Sequence, residues 1–62
     1  MLYLILHEGK VHTFPTKKGA RTNLHRFPGG EVRKIPLVEF RNLAFTGGEI
    51  DKIRAASVAT EV

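Results

Sequence analysis

Residues 19–27, GARTNLHRF, support two opposed readings. As a helix they place Ala20, Leu24 and Phe27 on one stripe and Lys18, Arg21 and His25 on the adjacent face. Local chemistry argues against it. Gly19, Thr22, Asn23 and His25 are indifferent or poor helix formers, and Lys17 and Lys18 in a first turn oppose the helix macrodipole. As a strand, the stretch runs into Pro28-Gly29-Gly30, a strong turn signal, and EVRKIPLVEF (31–40) beyond it is rich in β-branched and apolar residues. The strand reading is favoured and predicts a hairpin of about 20–27 against 31–38. Pro36, which has no N–H to donate, then marks an edge or a bulge.

Upstream, MLYLILHEGKVHTF (1–14) has β-favouring residues on both sides of Glu8-Gly9, and Gly9 can take the positive φ of a tight turn. Strands are predicted at 2–7 and 10–14, with His7 opposite Lys10 and Ile5 opposite His12. One face then carries Tyr3, Ile5 and Phe14, and the other Leu2, Leu4, Leu6 and Val11. Both are apolar, so the first strand is either central and covered on both sides or open to a partner. A short amphipathic helix over 2–8, ended by Gly9, is the competing reading, because periodicity alone does not decide so short a run. Pro15 closes the segment in either case.

Downstream, FTGGEIDKIRAASVA (45–59) holds a capping box, Thr46 with Glu49, and a hydrophobic staple, Phe45 with Ile50. Ile50, Ile53, Ala56 and Ser57 follow one helical face, and Asp51 sits in the first turn, where the dipole favours an acid. A helix over about 47–59 is predicted, with Ala55, Ala56 and Ala59 permitting close packing and the last residues fraying. The expected fold is α+β: one small domain over residues 1–62, two β-hairpins forming a sheet and one C-terminal helix packed on it.

A chain of 62 residues buries a small share of its surface, and without cysteine neither disulfides nor thiolate-bound zinc can supplement the core. Self-association into a homodimer or larger homo-oligomer is the remaining staple. The longest apolar run, Met1 to Leu6, is too short to span a bilayer and no basic segment precedes it, so a cytoplasmic protein with no membrane partner is expected. The net charge is +4, and six of the ten basic residues lie between 17 and 34, where Glu31 is the only acid.

That cluster is the first constellation with chemical meaning. Lys17, Lys18, Arg21, Arg26, Arg33 and Lys34 could neutralise several phosphates, each adding salt-dependent affinity through counterion release. Asn23 and His25 would lie nearest the bases. The plainer alternative is a solvated basic face. His7 and His12 lie diagonally on one hairpin face, but two histidines without a further ligand make a poor site, and no metal or other cofactor is expected. His25 amid cations could serve as a base, yet no partner acid or nucleophile is fixed by spacing, so no catalytic residue is assigned. The PGG and TGG pairs lack the Walker spacing and read as a turn and a helix start.

The segment KKGARTNLHRFPGGEVRKIP, followed by Leu43, Gly48, Ile50 and Ile53, resembles the HicA-type mRNA interferase toxins over about residues 18–56. Their pattern runs from a Lys-Gly turn into a strand, through a Gly-containing hairpin to a Val/Ile-Pro strand end, and on to a C-terminal helix. The resemblance implies a double-stranded-RNA-binding-like fold with a leading helix, RNA as substrate and an antitoxin as partner. Two departures weaken the enzymatic implication. Arg21 stands where the family's histidine would fall, leaving His25 as a displaced substitute at best, and residues 2–8 look more like a strand than a leading helix.

These readings converge on a small basic nucleic-acid-binding module, RNA preferred over DNA, and not on an enzyme. The rival is a small intracellular inhibitor or adaptor, of the kind phages and plasmids encode, that docks on a partner protein. Its interface would be the apolar strand Leu2, Tyr3, Leu4, Ile5 and Leu6, pairing edge to edge, with the basic cluster steering it to an acidic partner.

Overall fold

A computed structural model describes residues 1–43 and 49–62. In chain order the elements are β1 (Leu2–His7), β2 (Lys10–Phe14), α1 (Lys17–Asn23) with a 3₁₀ turn at Leu24–Arg26, β3 (Glu31–Ile35), α2 (Leu37–Asn42), α3 (Glu49–Ala56) and β4 (Val58–Ala59). The strands form one antiparallel sheet in the order β2-β1-β3-β4. The expected α+β class holds.

The first hairpin forms as the sequence predicts. His7 pairs with Lys10 and Ile5 with His12, and Glu8 (φ 51°) and Gly9 (φ 74°) supply the two positive φ values of a type I′ turn. Strand β1 is central, between β2 and β3, and both of its faces are covered. Leu4 and Leu6 join Ile35 and Ile53 in a core against which Leu2, Val11, Phe40, Leu43, Ile50 and Ala56 pack. On the opposite face Ile5 is fully buried, as is Ala20 of α1, and α1 packs on β1 and β2. The expected protein interface at Leu2, Tyr3, Leu4, Ile5 and Leu6 is therefore corrected: β1 is hydrogen-bonded along both edges and has none left for a second chain.

The second hairpin does not form, and residues 17–23 are helical. The reason is topological. Strands β2 and β3 flank β1, each antiparallel to it, so they run parallel to each other and need a crossover over the sheet face rather than a tight turn. Residues 15–30 are that crossover, and β3 pairs with β1 instead, Leu2 opposite Ile35 through Leu6 opposite Glu31. Two local bonds offset the weak propensity: Thr16, the N-cap, accepts from the Gly19 amide at 3.0 Å, and the Asn23 amide donates to the Gly19 carbonyl at 2.8 Å.

Pro28 and Gly29 do make a turn, as read. The Gly30 amide donates to the Phe27 carbonyl at 2.8 Å and Gly29 has φ 78°, the geometry of a type II turn that ends the crossover. Gly30 lies so close to the sheet that a Cβ on it would stand 2.7 Å from the Ile5 Cγ2 and 2.9 Å from the Phe27 carbonyl oxygen. Pro36 neither bulges nor edges a strand; it ends β3 and is the N-cap of α2.

The C-terminal helix stops three residues before the end of the predicted 47–59. The capping box of Thr46 with Glu49 and the staple of Phe45 with Ile50 fall at or beside positions outside the described residues. The helix ends at Ala56, where the Ser57 amide and hydroxyl both donate to the Ile53 carbonyl. The chain then turns back as β4 instead of fraying, with Lys34 opposite Val58 and Arg33 opposite Ala59, and Thr60 donates to Val32 at 3.1 Å. Among the described residues no helix is long and apolar enough to cross a membrane.

Candidate nucleic-acid interface

Because paired residues share a face, the sheet register sorts the eight expected contact residues into two groups. Arg33 pairs with Leu4 and so faces α2 and α3. Lys34 pairs with Tyr3 and so faces α1. The side chains of Lys17, Lys18, Arg21, His25 and Arg26 are exposed on α1 and the 3₁₀ turn that follows it, and Lys10 shares this face of the sheet through its pairing with His7. No acidic residue occurs from position 9 to position 30. Among the described residues, the side chains of Lys10, Lys17, Lys18, His25, Arg26 and Lys34 form no hydrogen bond or ion pair.

Arg33 is separated from this group in both position and bonding. Its Nη1 donates to Glu31 Oε2 at 2.7 Å, its Nε to the Ser57 hydroxyl at 2.6 Å, and its Nη2 to the carbonyls of Ser57 at 2.8 Å and Arg54 at 3.1 Å. The fork thus closes on the C-terminal end of α3, and its side chain is 15% exposed. Arg54 donates from Nε to the other Glu31 oxygen at 3.1 Å. Arg33 is a clasp between β3 and α3, with four of its five N–H donors engaged inside the fold.

Asn23 is likewise engaged, its amide holding the Gly19 carbonyl. Arg21 uses Nε on the main-chain oxygen of Val62 at 3.1 Å while its side chain stays exposed. The α1 side of the sheet therefore carries Lys17, Lys18, Arg21, His25, Arg26 and Lys34, without Arg33 and with Asn23 in a supporting role.

Glu31 titrates in a way the clasp determines. The hydrogen bond from Arg33 holds its carboxyl below the ordinary glutamate range, against some desolvation and with help from Arg54. A carboxyl with a depressed folded-state pKa contributes stability that is fully present above its unfolded value and is lost as pH falls through the folded one. Glu31→Gln is thus expected to melt below the parent protein at neutral pH, with the gap closing in acid below the ordinary glutamate range. Thermal unfolding across pH measures this; a gap that persists unchanged in acid would contradict it.

Sequence reasoning missed an aromatic group on the α1 side. His12 stacks on Phe27 with ring centroids 4.0 Å apart and planes at 23°, and His7 lies 5.6 Å from the same ring at 56°. The hairpin register put His7 and His12 on one face, but a strand over 20–27 left Phe27 no route to them. Among the described residues, no three His, Asp or Glu side chains gather as metal ligands. Comparison with family models, curated proteins and solved structures finds no match to this chain.

Proposed function

We propose that the protein is a small nucleic-acid-binding module that takes RNA in preference to DNA and contacts the phosphate backbone through Lys17, Lys18, Arg21, Arg26 and Lys34, with His25 beside them. The observation that carries this reading is the sorting of charge by the fold. Helix α1 and the 3₁₀ turn after it present cations and contain no acid, while the one arginine of the cluster on the other face, Arg33, is neutralised by Glu31. A solvated basic face would not need this separation.

The preference for RNA follows from what α1 lacks. A helix of seven residues is roughly 10 Å long, and its one amide side chain suited to reading an adenine edge, Asn23, is bonded to its own helix. Major-groove readout of duplex DNA has little to work with here. Contacts to backbone and to unpaired nucleotides remain.

Five phosphate contacts on a single strand would give a slope of log affinity against log salt of about −3.5. Fluorescence-anisotropy titration of a labelled single-stranded RNA over a salt series is expected to return that slope, and Lys17→Ala/Lys18→Ala to flatten it by about 1.4. Affinity that does not change with salt, or no binding at low salt, would refute the assignment.

A further inference from the structure

We propose that the stack of His12 on Phe27, flanked by His7, is a platform for a base of single-stranded RNA; this rests on the nucleic-acid reading above and adds to it the part of the ligand that the cations do not recognise. The geometry points there for three reasons. First, the three rings are at the turn end of the first hairpin and none is sealed: His7, His12 and Phe27 all remain partly exposed, whereas Ile5 on the same face is completely buried. The core of this face closes without them.

Second, the platform is set among cations. Phe27 directly follows the exposed His25 and Arg26, and His12 is two positions from the exposed Lys10, which shares its face. A strand whose phosphates meet these residues carries its bases past the rings. Third, a ring face can be stacked only by a base that is itself unstacked, and bases inside an A-form duplex are not. The site therefore selects single strands, loops or bulges, and tolerates any base, since every base has a π-face.

The test compares a single-stranded RNA with an abasic ribose-phosphate strand of equal length by anisotropy at one salt concentration. One stacked base is expected to make the RNA bind about tenfold more tightly than the abasic strand. His12→Ala should abolish that difference while binding the abasic strand as the parent does, and His12→Tyr should keep it. Phe27→Ala, which also removes packing, is read only after circular dichroism shows it folded. Equal affinity of the parent for both strands, or a full tenfold difference in His12→Ala, would overturn the platform and leave the phosphate contacts standing. Failure to bind either strand would overturn the nucleic-acid reading and the platform with it.

Discussion

Ile53→Ala is expected to remove a large fraction of the protein's folding stability. Ile53 is fully buried and joins α3 to Leu4, Leu6 and Ile35 of the sheet. Truncating such a residue costs about 2–5 kcal/mol in transfer free energy and cavity formation. A domain of this length has a total stability of only about 3–9 kcal/mol, so the loss is a large fraction of the whole. The Ile53 carbonyl also receives both donors of Ser57, so displacement of this turn of α3 disturbs the start of β4. Urea denaturation followed by circular dichroism measures the effect, with Ile53→Val as a milder companion at about 0.5–1.5 kcal/mol. A midpoint for Ile53→Ala within error of the parent would show that α3 does not hold the sheet through this side chain.

The second large effect separates two adjacent residues. Arg33→Ala leaves the Glu31 carboxylate with Arg54 alone and strips donors from the Ser57 hydroxyl and from the carbonyls of Ser57 and Arg54. Loss of one partner from a half-buried charged network costs more than the net worth of the bonds, here about 2–3 kcal/mol. Arg33→Lys should not restore it, because an ammonium lacks the planar fork that reaches four acceptors together. Lys34→Ala is expected to change stability by less than about 1 kcal/mol, as surface substitutions do, and to weaken RNA binding. Arg33→Ala should lower the melting temperature and keep RNA affinity, and Lys34→Ala should keep the melting temperature and lower RNA affinity. Reduced affinity in folded Arg33→Ala together with unchanged affinity in Lys34→Ala would invert the assignment.

The pair also shows what could be read before the fold was known. Composition identified Arg33 and Lys34 as members of one basic cluster, and nothing local distinguishes them. Their roles diverge because successive strand residues face opposite ways and because α3 brings Ser57 and Arg54 to only one of those faces. Such a contact, across more than twenty positions, leaves no trace in spacing. The first hairpin was legible because its turn and register are local, with a glycine where positive φ is needed and alternation on both sides.

Residues 19–27 misled for a different reason. Their propensities were weighed correctly and are weak for a helix, but β1 has two edges and two apolar faces to satisfy. The crossover covers one face with Ala20 while freeing β3 for the second edge, and tertiary burial outweighs the propensity of seven residues. The likeness to the HicA-type toxins implies a strand after the Lys-Gly turn; here Lys18-Gly19 lies inside α1. The case for RNA therefore rests on the surface of this protein.

In the proposed interface the position of the charge, and not its total, makes the binding surface. Two double variants of equal net charge test it: Lys17→Glu/Lys18→Glu on α1, and Arg41→Glu/Lys52→Glu on α2 and α3. Acids in the first turn of α1, which has none, complement its dipole, so loss of binding in the first variant is not loss of fold. Measured side by side by fluorescence anisotropy against single-stranded RNA, the α1 variant is expected to bind at least about tenfold more weakly than the other, roughly the effect of two lost phosphate contacts and two new repulsions. Equal weakening of both would mean that net charge alone attracts the RNA, and would contradict an interface on the α1 face.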